Sequence, residues 1–219
     1  MTRLTFTDTA EAAGLAAFLE RHLRWDKKAA VRLRASGGVL AVFARPARFE
    51  VLAVLTGRLS EPEGTELDAT VSAGELLEGI DEQNTSAAVP GPVTGPPWSG
   101  LLPPRGGWQP RAELPGADVR AAAAAVVAEF RRRTEQLAAE ERTRTALDAL
   151  AEEIWSRTLA DTGLPLRAVH AAHALGFLRS DAPVTVLSAG SWLRLRTPRG
   201  SIAVRRGGPA PLTVTPLSP

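Results

Sequence analysis

The chain has 219 residues, a formal net charge of +2 at pH 7, 44% hydrophobic and 23% charged residues, and no cysteine. A chain of this length and composition can bury a substantial core, and the lack of cysteine excludes disulfides, thiolate catalysis and cysteine-ligated zinc. Because no apolar run approaches the roughly 20 residues that cross a bilayer, and the N-terminus lacks the features of a signal peptide, we expect a cytoplasmic protein that does not enter a membrane.

The charge is unevenly distributed along the chain. Residues 1–60 carry a net charge of +5 and residues 181–219 a net charge of +4, whereas residues 61–116 carry −7. A basic surface attracts nucleic acid or another polyanion. Alternatively, the acidic segment folds against the basic strands and neutralises them, and the sequence leaves both interpretations open.

The first 80 residues predict a helix, four strands and a short helix. Asp8, with Glu11 three residues later, resembles a capping box, and apolar spacing continues the helix to about residue 23. Alternation of apolar and polar residues then predicts strands near 29–35, 39–44, 49–59 and 67–71. Ser72 and Glu75 predict the cap of the short helix.

A sequence pattern near the N-terminus returns near the C-terminus. Residues 31–42 and 193–204, at an offset of 162, are identical at six of twelve positions, and each alternates, turns at a glycine and alternates again. A helix-like run, 12–19 or 171–178, precedes each copy. We interpret this as a duplicated helix–hairpin unit whose strands meet in one body; the alternative is chance similarity between hairpins.

Residues 83–116 differ from the rest of the chain. Eight prolines and six glycines fall between Pro90 and Gly116, and proline excludes a helix or a central strand. Such a long loop is either functional or disordered, and a disordered linker seldom carries tryptophans. We therefore expect the part between Trp98 and Trp108 to lie ordered against the body.

The remaining chain is predicted to be helical and then stranded. Residues 117–160 fit either one long helix or a helical hairpin in which Thr145 and Asp148 cap a second helix. A helix only half covered by so small a body predicts the interface of a homodimer. Another helix begins at Pro165 and runs to about Phe177. Strands near 183–188, 192–197 and 201–206 follow, and then a Pro-rich tail.

These elements predict an α+β fold. We expect an antiparallel sheet built from the N- and C-terminal duplicated helix–hairpin units, long central helices and a Pro/Gly-rich loop that carries tryptophan. The corresponding segments are an α+β half with the first repeat copy (1–82), the loop (83–116) and a helical segment with the second copy (117–219). We expect all three to form one compact body.

Motifs of catalysis and cofactor binding are absent from the sequence. His170 and His173 share a helix face, but no acidic residue completes a zinc pattern. The serines beside glycines do not lie in Gly-x-Ser-x-Gly, and the chain has neither Gly-x-Gly-x-x-Gly nor a P-loop. We therefore predict no cofactor, no metal and no catalytic residue, and we favour a binding protein over an enzyme.

The polar face of the duplicated strands is the predicted binding site. Arginines and one tryptophan occupy the positions opposite the apolar ones, and arginine beside an aromatic plane suits phosphate, carboxylate or stacked bases. If the tryptophan-bearing loop folds over this sheet, a pocket forms between them. The candidate residues are Arg32, Arg34, Trp192, Arg194, Arg196, Arg205, Trp98, Arg105 and Trp108. The alternative is a sheet face kept soluble by charge.

The sequence resembles two groups of known proteins. The Ala/Arg/Gly/Pro bias and the 97–108 loop (Pro-Trp-Ser-Gly-Leu-Leu-Pro-Pro-Arg-Gly-Gly-Trp) resemble lineage-restricted actinobacterial proteins of unknown function, which implies no activity. The helix, the four strands and the Ser72-Ala-Gly-Glu-Leu-Leu segment, about 75 residues, are similar to a half-unit of sliding-clamp domains. The Pro-rich insert departs from that pattern.

Three functional hypotheses follow from the sequence. The first is a non-enzymatic binding or regulatory homodimer that recognises an anionic ligand or a protein partner through the Arg/Trp sheet face. The second is a nucleic-acid-binding module, either clamp-like or winged-helix-like, with helices 145–177 and the hairpin 192–206. The only arginine of 165–177 is Arg167, which suits a recognition helix poorly. The third is an enzyme of a type that the sequence does not reveal.

Overall fold

A computed structural model describes residues 2–61 and 66–206 of the chain. Within these residues the α-helices are α1 (Thr9–Leu23), α2 (Ala73–Glu78), α3 (Gly116–Gln136), α4 (Arg144–Ser156) and α5 (Leu166–Ala174). The strands are β1 (Arg3–Thr5), β2 (Ala30–Ser36), β3 (Val39–Ala44), β4 (Leu52–Arg58), β5 (Leu67–Ser72), β6 (Ile80–Asp81), β7 (Ser86–Ala88), β8 (Gln109–Leu114), β9 (Val184–Ala189), β10 (Trp192–Thr197) and β11 (Gly200–Arg205). The Pro-rich tail predicted after residue 206 lies outside the described residues.

One large antiparallel sheet contains strands from both ends of the chain, as the sequence predicted. Its order is β5-β2-β3-β4-β11-β10-β9-β8, and a smaller sheet has the order β1-β7-β6. At the centre, β4 and β11 pair through Val54 with Ser201, Ala53 with Ile202 and Leu52 with Ala203. On each side of this junction lie a three-stranded meander and then one end strand, so the two halves mirror each other.

The two repeat copies form hairpins, β2–β3 and β10–β11. The first turns at Gly37 and Gly38, whose φ angles of 58° and 76° suit the tight turn of a twisted hairpin. In the second half, strand β9 lies between helix α5 and the hairpin. The symmetry of the sheet therefore relates β10 to β3, whereas the sequence repeat aligns it with β2.

Local side-chain chemistry accounts for the ends of several helices. Asp8 Oδ1 accepts a hydrogen bond from the backbone N–H of Glu11 at 3.0 Å, which confirms the predicted cap of α1. Residues 117–160 form a hairpin of helices, α3 and α4, rather than one helix. The cap of α4 is Thr143, which accepts from the N–H of Ala146 at 3.2 Å, and not the predicted Thr145.

Two strands, β7 and β8, lie inside the range predicted as a loop. Strand β8 contains Pro110 and is the last strand of the large sheet. An end strand leaves one side of its backbone unpaired, so it tolerates a residue that has no N–H. The register shifts between Pro110 and Ala112, which is a bulge of the kind found at sheet edges. Proline thus excludes a central strand here but permits an end strand.

The inner face of the sheet packs on the helices and joins the two halves. The ring of Phe18 in α1 stacks on that of Phe177, which follows α5, with centroids 5.9 Å apart. Gly200 begins β11 against the same ring, and a Cβ atom there would lie 2.7 Å from Phe177 Cε1. The φ of 149° at Gly200 also disfavours a side chain. This contact requires glycine at the start of β11.

His22 is a buried polar residue in this core. It is 1% exposed, its ring lies 6.2 Å from that of Phe18, and neither ring nitrogen has a hydrogen-bond partner among the described residues. Burial lowers the pKa of His22 to about 4, although Asp26 acts in the opposite direction. His22 is therefore neutral at pH 7, and its protonation opposes folding.

Replacing His22 with leucine is expected to make the protein more resistant to acid. The folded-state pKa lies below the usual 6.5, so wild-type stability is complete above about pH 6.5 and falls as the pH approaches 4. His22→Leu should be no less stable at pH 8 and more stable at pH 5, by roughly 2 kcal/mol at most. Urea unfolding at both pH values measures this, with the exposed His173→Gln as control. An equal effect at both pH values would contradict it.

Candidate functional site

The predicted arginine and tryptophan side chains that belong to strands lie on one face of the large sheet. This face, here called the outer face, points away from the helices. In β2, Arg32 and Arg34 alternate with the fully buried Val31 and Leu33. In β10, Trp192, Arg194 and Arg196 alternate in the same way with Leu193 and Leu195, and Trp192 is paired with Arg205 of β11. The two-residue period of strands thus positions this set.

The centre of the outer face is apolar. Phe43 is the cross-strand partner of Arg32 and Val54 that of Phe43, so both share its face. Leu52 and Ala203 continue this surface across the β4–β11 junction. Such an area in contact with water is unfavourable, and the Pro-rich segment lies across it.

Residues 92–108, here called the outer segment, are tied to the sheet by polar contacts. The N–H of Val93 donates to the carbonyl of Thr70 at 2.8 Å, and Arg32 Nη1 donates to the carbonyl of Ser99. At the far end, the guanidinium carbon of Arg194 lies 5.4 Å from the centroid of the Trp108 ring, a cation–π contact. Two predicted ligand-binding arginines therefore hold the protein's own chain.

Arg32 and Arg34 share a carboxylate partner on the neighbouring strand. Arg32 Nε and Nη2 donate to the two oxygens of Asp68 at 2.8 and 3.0 Å, and Arg34 Nε donates to Asp68 Oδ2 at 3.1 Å. Hydrogen bonding from Arg32 lowers the pKa of Asp68 and raises that of Arg32. Part of the positive charge of this face is thus neutralised within the fold.

Arg194 is the most desolvated arginine of the predicted set. Its Nε donates to Ser201 Oγ at 2.9 Å, and no carboxylate within the described ranges pairs with it. Burial, and after it the charge of Arg196, lowers the pKa of Arg194. Together with Arg34 and Arg105 it lines a cavity of about 250 Å³ between the outer segment and the sheet. A pocket between loop and sheet therefore exists.

The structure divides the predicted residues among three cavities and the segment contacts. Arg34, Arg105 and Arg194 line the first cavity, and Trp98, Trp192 and Arg205 line a second one of about 310 Å³. Trp98 also lines a third cavity of about 440 Å³ under residues 93–96. Arg32 contacts the outer segment from the sheet, and Trp108 donates a hydrogen bond within the segment. Arg196 is exposed and lines none of these cavities. The nine residues thus do not converge on one point.

A second concentration of arginine lies on the helical side, among residues that were not predicted as a site from the sequence. Gly176 follows α5 with a φ of 81°, and a Cβ atom there would lie 3.2 Å from Cζ of Arg21 and 3.3 Å from Nε of Arg179. Two guanidinium groups therefore pack on one glycine. Together with Arg24 and Arg199, they form what we call the arginine cluster.

The arginine cluster contains no ion pair in the described part of the chain. Burial is the largest influence on Arg21 and lowers its pKa; the charges of Arg179, Arg24 and Arg199 lower it further, and Glu20 raises it. One hydrogen bond, from Arg21 Nη1 to the carbonyl of Ala17 at 2.8 Å, anchors the cluster to α1. The sequence signal for this cluster was the basic Arg21 in the last turn of the first predicted helix.

The described residues, 2–61 and 66–206, show neither a metal centre nor a membrane span. No three His, Cys, Asp or Glu side chains lie together there as metal ligands would, and no helix is long and apolar enough to cross a bilayer. His170 stacks on the ring of Trp155 at 4.5 Å.

This arrangement of sheet and helices is similar to the fold of a sliding clamp. One similar crystal structure is the DNA polymerase sliding clamp from Pseudomonas aeruginosa, with a TM-score of 0.51 and 12% identity over 96% of this chain and 66% of that one. A second, of the same clamp with a ligand, has a TM-score of 0.50 and 12% identity over 89% and 62%. The chain thus spans less than two thirds of the clamp chains, and the likeness concerns the fold alone.

Two family models match the sequence, and each describes a domain of unknown function. DUF8010 matches residues 1–100 and DUF8185 matches residues 103–209. No curated protein matches the chain. In the sequence, the two matched regions meet inside the outer segment. In the structure, the pairing of β4 with β11 joins them.

Removing the donor that holds the outer segment is expected to expose it to protease. Arg32→Ala leaves the carbonyl of Ser99 without its partner, while Asp68 keeps Arg34. Trypsin should then cut after the exposed Arg105 several times faster than in the wild type, because local detachment precedes cleavage. Mass spectrometry of the fragments measures the rate. Arg196→Ala removes the same charge from the same face and should be cut at the wild-type rate. Equal acceleration of cleavage in both variants would contradict the role of Arg32.

Proposed function

We propose that this protein is a binding module of clamp-like fold that holds phosphate groups of nucleic acid on the arginine cluster. The observation that carries the proposal is the packing of Arg21 and Arg179 on Gly176, with Arg24 and Arg199 nearby and no ion pair among them. Like charges held together repel each other, and the charge of Glu20 offsets only part of this repulsion. Phosphate compensates for the remainder.

The chemistry of arginine favours phosphate at this position. The guanidinium group is a planar fork of donors, stays protonated at neutral pH and binds phosphate oxygens in pairs. Arg24, Arg179 and Arg199 are exposed, so a phosphate reaches them from solvent. Their contacts carry no base specificity, because the backbone of every nucleic acid presents the same groups.

The comparisons and the outer face support this choice over the sheet-face hypothesis. The similar solved structures are of a DNA polymerase sliding clamp, which favours nucleic acid as the source of phosphate. On the outer face, by contrast, Arg32 and Arg34 are paired with Asp68, and Arg194 contacts Trp108. Fewer donors are therefore available there.

Binding of labelled DNA tests the proposal. Fluorescence anisotropy of a fluorescein-labelled 20-base-pair duplex is followed at several salt concentrations with the wild type and with Arg21→Gln/Arg179→Gln. The affinity of the double variant should be lower by at least roughly tenfold. The slope of log affinity against log salt should become shallower by about two, because two phosphate contacts are lost.

Arg131→Gln/Arg132→Gln is the matched control. This variant also replaces two arginines with glutamine, so it changes the net charge by the same amount. These α3 arginines are exposed and take part in no ion pair that the described residues show. The control should retain most of the affinity. Equal losses in the two double variants would indicate only a general charge effect, and no binding at 50 mM salt would overturn the proposal.

The cavity of Arg34, Arg105 and Arg194 favours a second candidate function, the binding of a small anion. Its lining contains these three arginines, no carboxylate and the apolar side chains of Phe43 and Val54. A desolvated guanidinium such as that of Arg194 gains most from an anionic partner. An organic carboxylate or phosphate with an apolar part fits this lining.

Thermal shift with benzoate and phenyl phosphate tests this second candidate. A ligand that binds only the folded protein raises the melting temperature. We expect a rise of several degrees at millimolar ligand that Arg105→Gln abolishes and Arg196→Gln, outside the cavity, retains. The same rise in both variants would place the anion elsewhere, and no rise would overturn this candidate.

A further inference from the structure

A further cavity, on the helical side, is much larger than those lined by the outer segment. It has a volume of about 990 Å³ and lies between residues 47–50 and the helices α3, α4 and α5. The three cavities that the outer segment lines have about 250, 310 and 440 Å³. Cavities that hold drug-sized ligands reach about 1,000 Å³. We call this cavity the aromatic groove.

Five aromatic rings form a continuous strip along the aromatic groove. Their order is Trp25, Phe49, His170, Trp155 and Phe130, with successive centroids 5.4, 5.1, 4.5 and 5.8 Å apart. Every one of them is half-buried, so part of each ring faces the groove. Aromatic rings that pack only as core are normally covered, whereas a half-exposed strip offers faces and edges to another ring.

Phe49 lies between two residues with strained backbone conformations. Arg48 and Glu50, on either side of it, have φ angles of 72° and 52°, in a region that residues other than glycine rarely adopt. Such strain persists where the surroundings enforce it and is concentrated at binding sites. Here Glu50 Oε2 accepts from Arg167 Nη1 at 2.7 Å, and Arg167 lies 3.7 Å from Glu152. The loop is thus fixed before a ligand arrives.

The charges that line the aromatic groove balance each other. The ionised residues are Arg48, Arg144, Arg167, Glu50, Asp148 and Glu152. Burial, and after it the charge of His173, lowers the pKa of His170 to about 4, so this histidine is neutral at pH 7. The groove therefore does not attract the phosphates that suit the arginine cluster, and an uncharged ligand suits it best.

His170 supplies the polar contact at the centre of the groove. Its ring nitrogens make no hydrogen bond to the residues that the structure describes, and neither is sealed from solvent. A neutral imidazole offers one donor and one acceptor. A few placed polar groups within an apolar lining orient a ligand.

We propose that the aromatic groove binds a planar, uncharged aromatic molecule that packs on the ring strip and hydrogen-bonds His170. This site goes beyond the proposed nucleic-acid function, since none of the cluster arginines lines it. The rim residues Arg167, Glu50 and Glu152 pair with one another, Arg144 pairs with Asp148, and Arg48 is exposed to solvent. The rings and the imidazole are therefore the recognition elements of the proposed site.

Titration of the whole protein with N-phenyl-1-naphthylamine tests the proposal. This neutral aromatic probe fluoresces strongly once it leaves water for an apolar site. We expect saturable binding of one probe per chain, with energy transfer from Trp25 or Trp155. Ala151→Phe, on a lining position of α4, fills the groove without removing a ring and should weaken binding at least tenfold. Phe49→Ala should weaken it to a similar degree.

Leu101→Ala is the matched control, because Leu101 is an exposed apolar residue of the outer segment, 49% exposed. This variant should bind the probe as the wild type does. Probe binding that survives Ala151→Phe, or a folded wild type that binds no probe up to its solubility limit, would overturn the proposal. A dimer in light scattering that Ala151→Phe dissociates would also overturn it, because a second copy would then occupy the groove.

Discussion

The pairing of β4 with β11 is the interaction on which the rest of the structure depends. It consists of three residue pairs between strands that are about 150 residues apart in sequence. Without it each half would present an unpaired sheet edge to solvent. The stack of Phe18 on Phe177 supports the junction from the inner side. The outer segment, the arginine cluster and the aromatic groove each combine residues from both halves, so their geometry depends on this contact.

Features of the fold that are encoded locally could be predicted from the sequence. Alternation at 30–36 and 192–197 identified strands, and Gly37 and Gly38 identified a hairpin. The caps Asp8 and Ser72 act within three residues, so their patterns were sufficient. Strand β8 could not be predicted from its composition. Pro110 disfavours a strand in general, and only the position of β8 at the sheet edge permits it.

The candidate sites depend on contacts that no single segment encodes. The face occupied by Arg32 and Arg194 follows from the two-residue period, but Asp68 meets Arg34 only because β5 pairs with β2 in that register. In the same way, Arg21 and Arg179 meet on Gly176 through helix packing. The strip from Trp25 to Phe130 combines five chain segments. Sequence therefore indicated which residues carry charge, but not which charges are already paired.

The path of the outer segment also bears on how the two halves of the large sheet pair. It links the two regions that the family models match, and it runs across the sheet that those regions share. If it detached, the β11 edge of one molecule could pair with β4 of another and reproduce the same contacts in an exchanged dimer. Arg32 and Arg194 hold the segment on the sheet of its own chain. Two arginines on the face of a sheet thereby oppose the detachment that such an exchange requires.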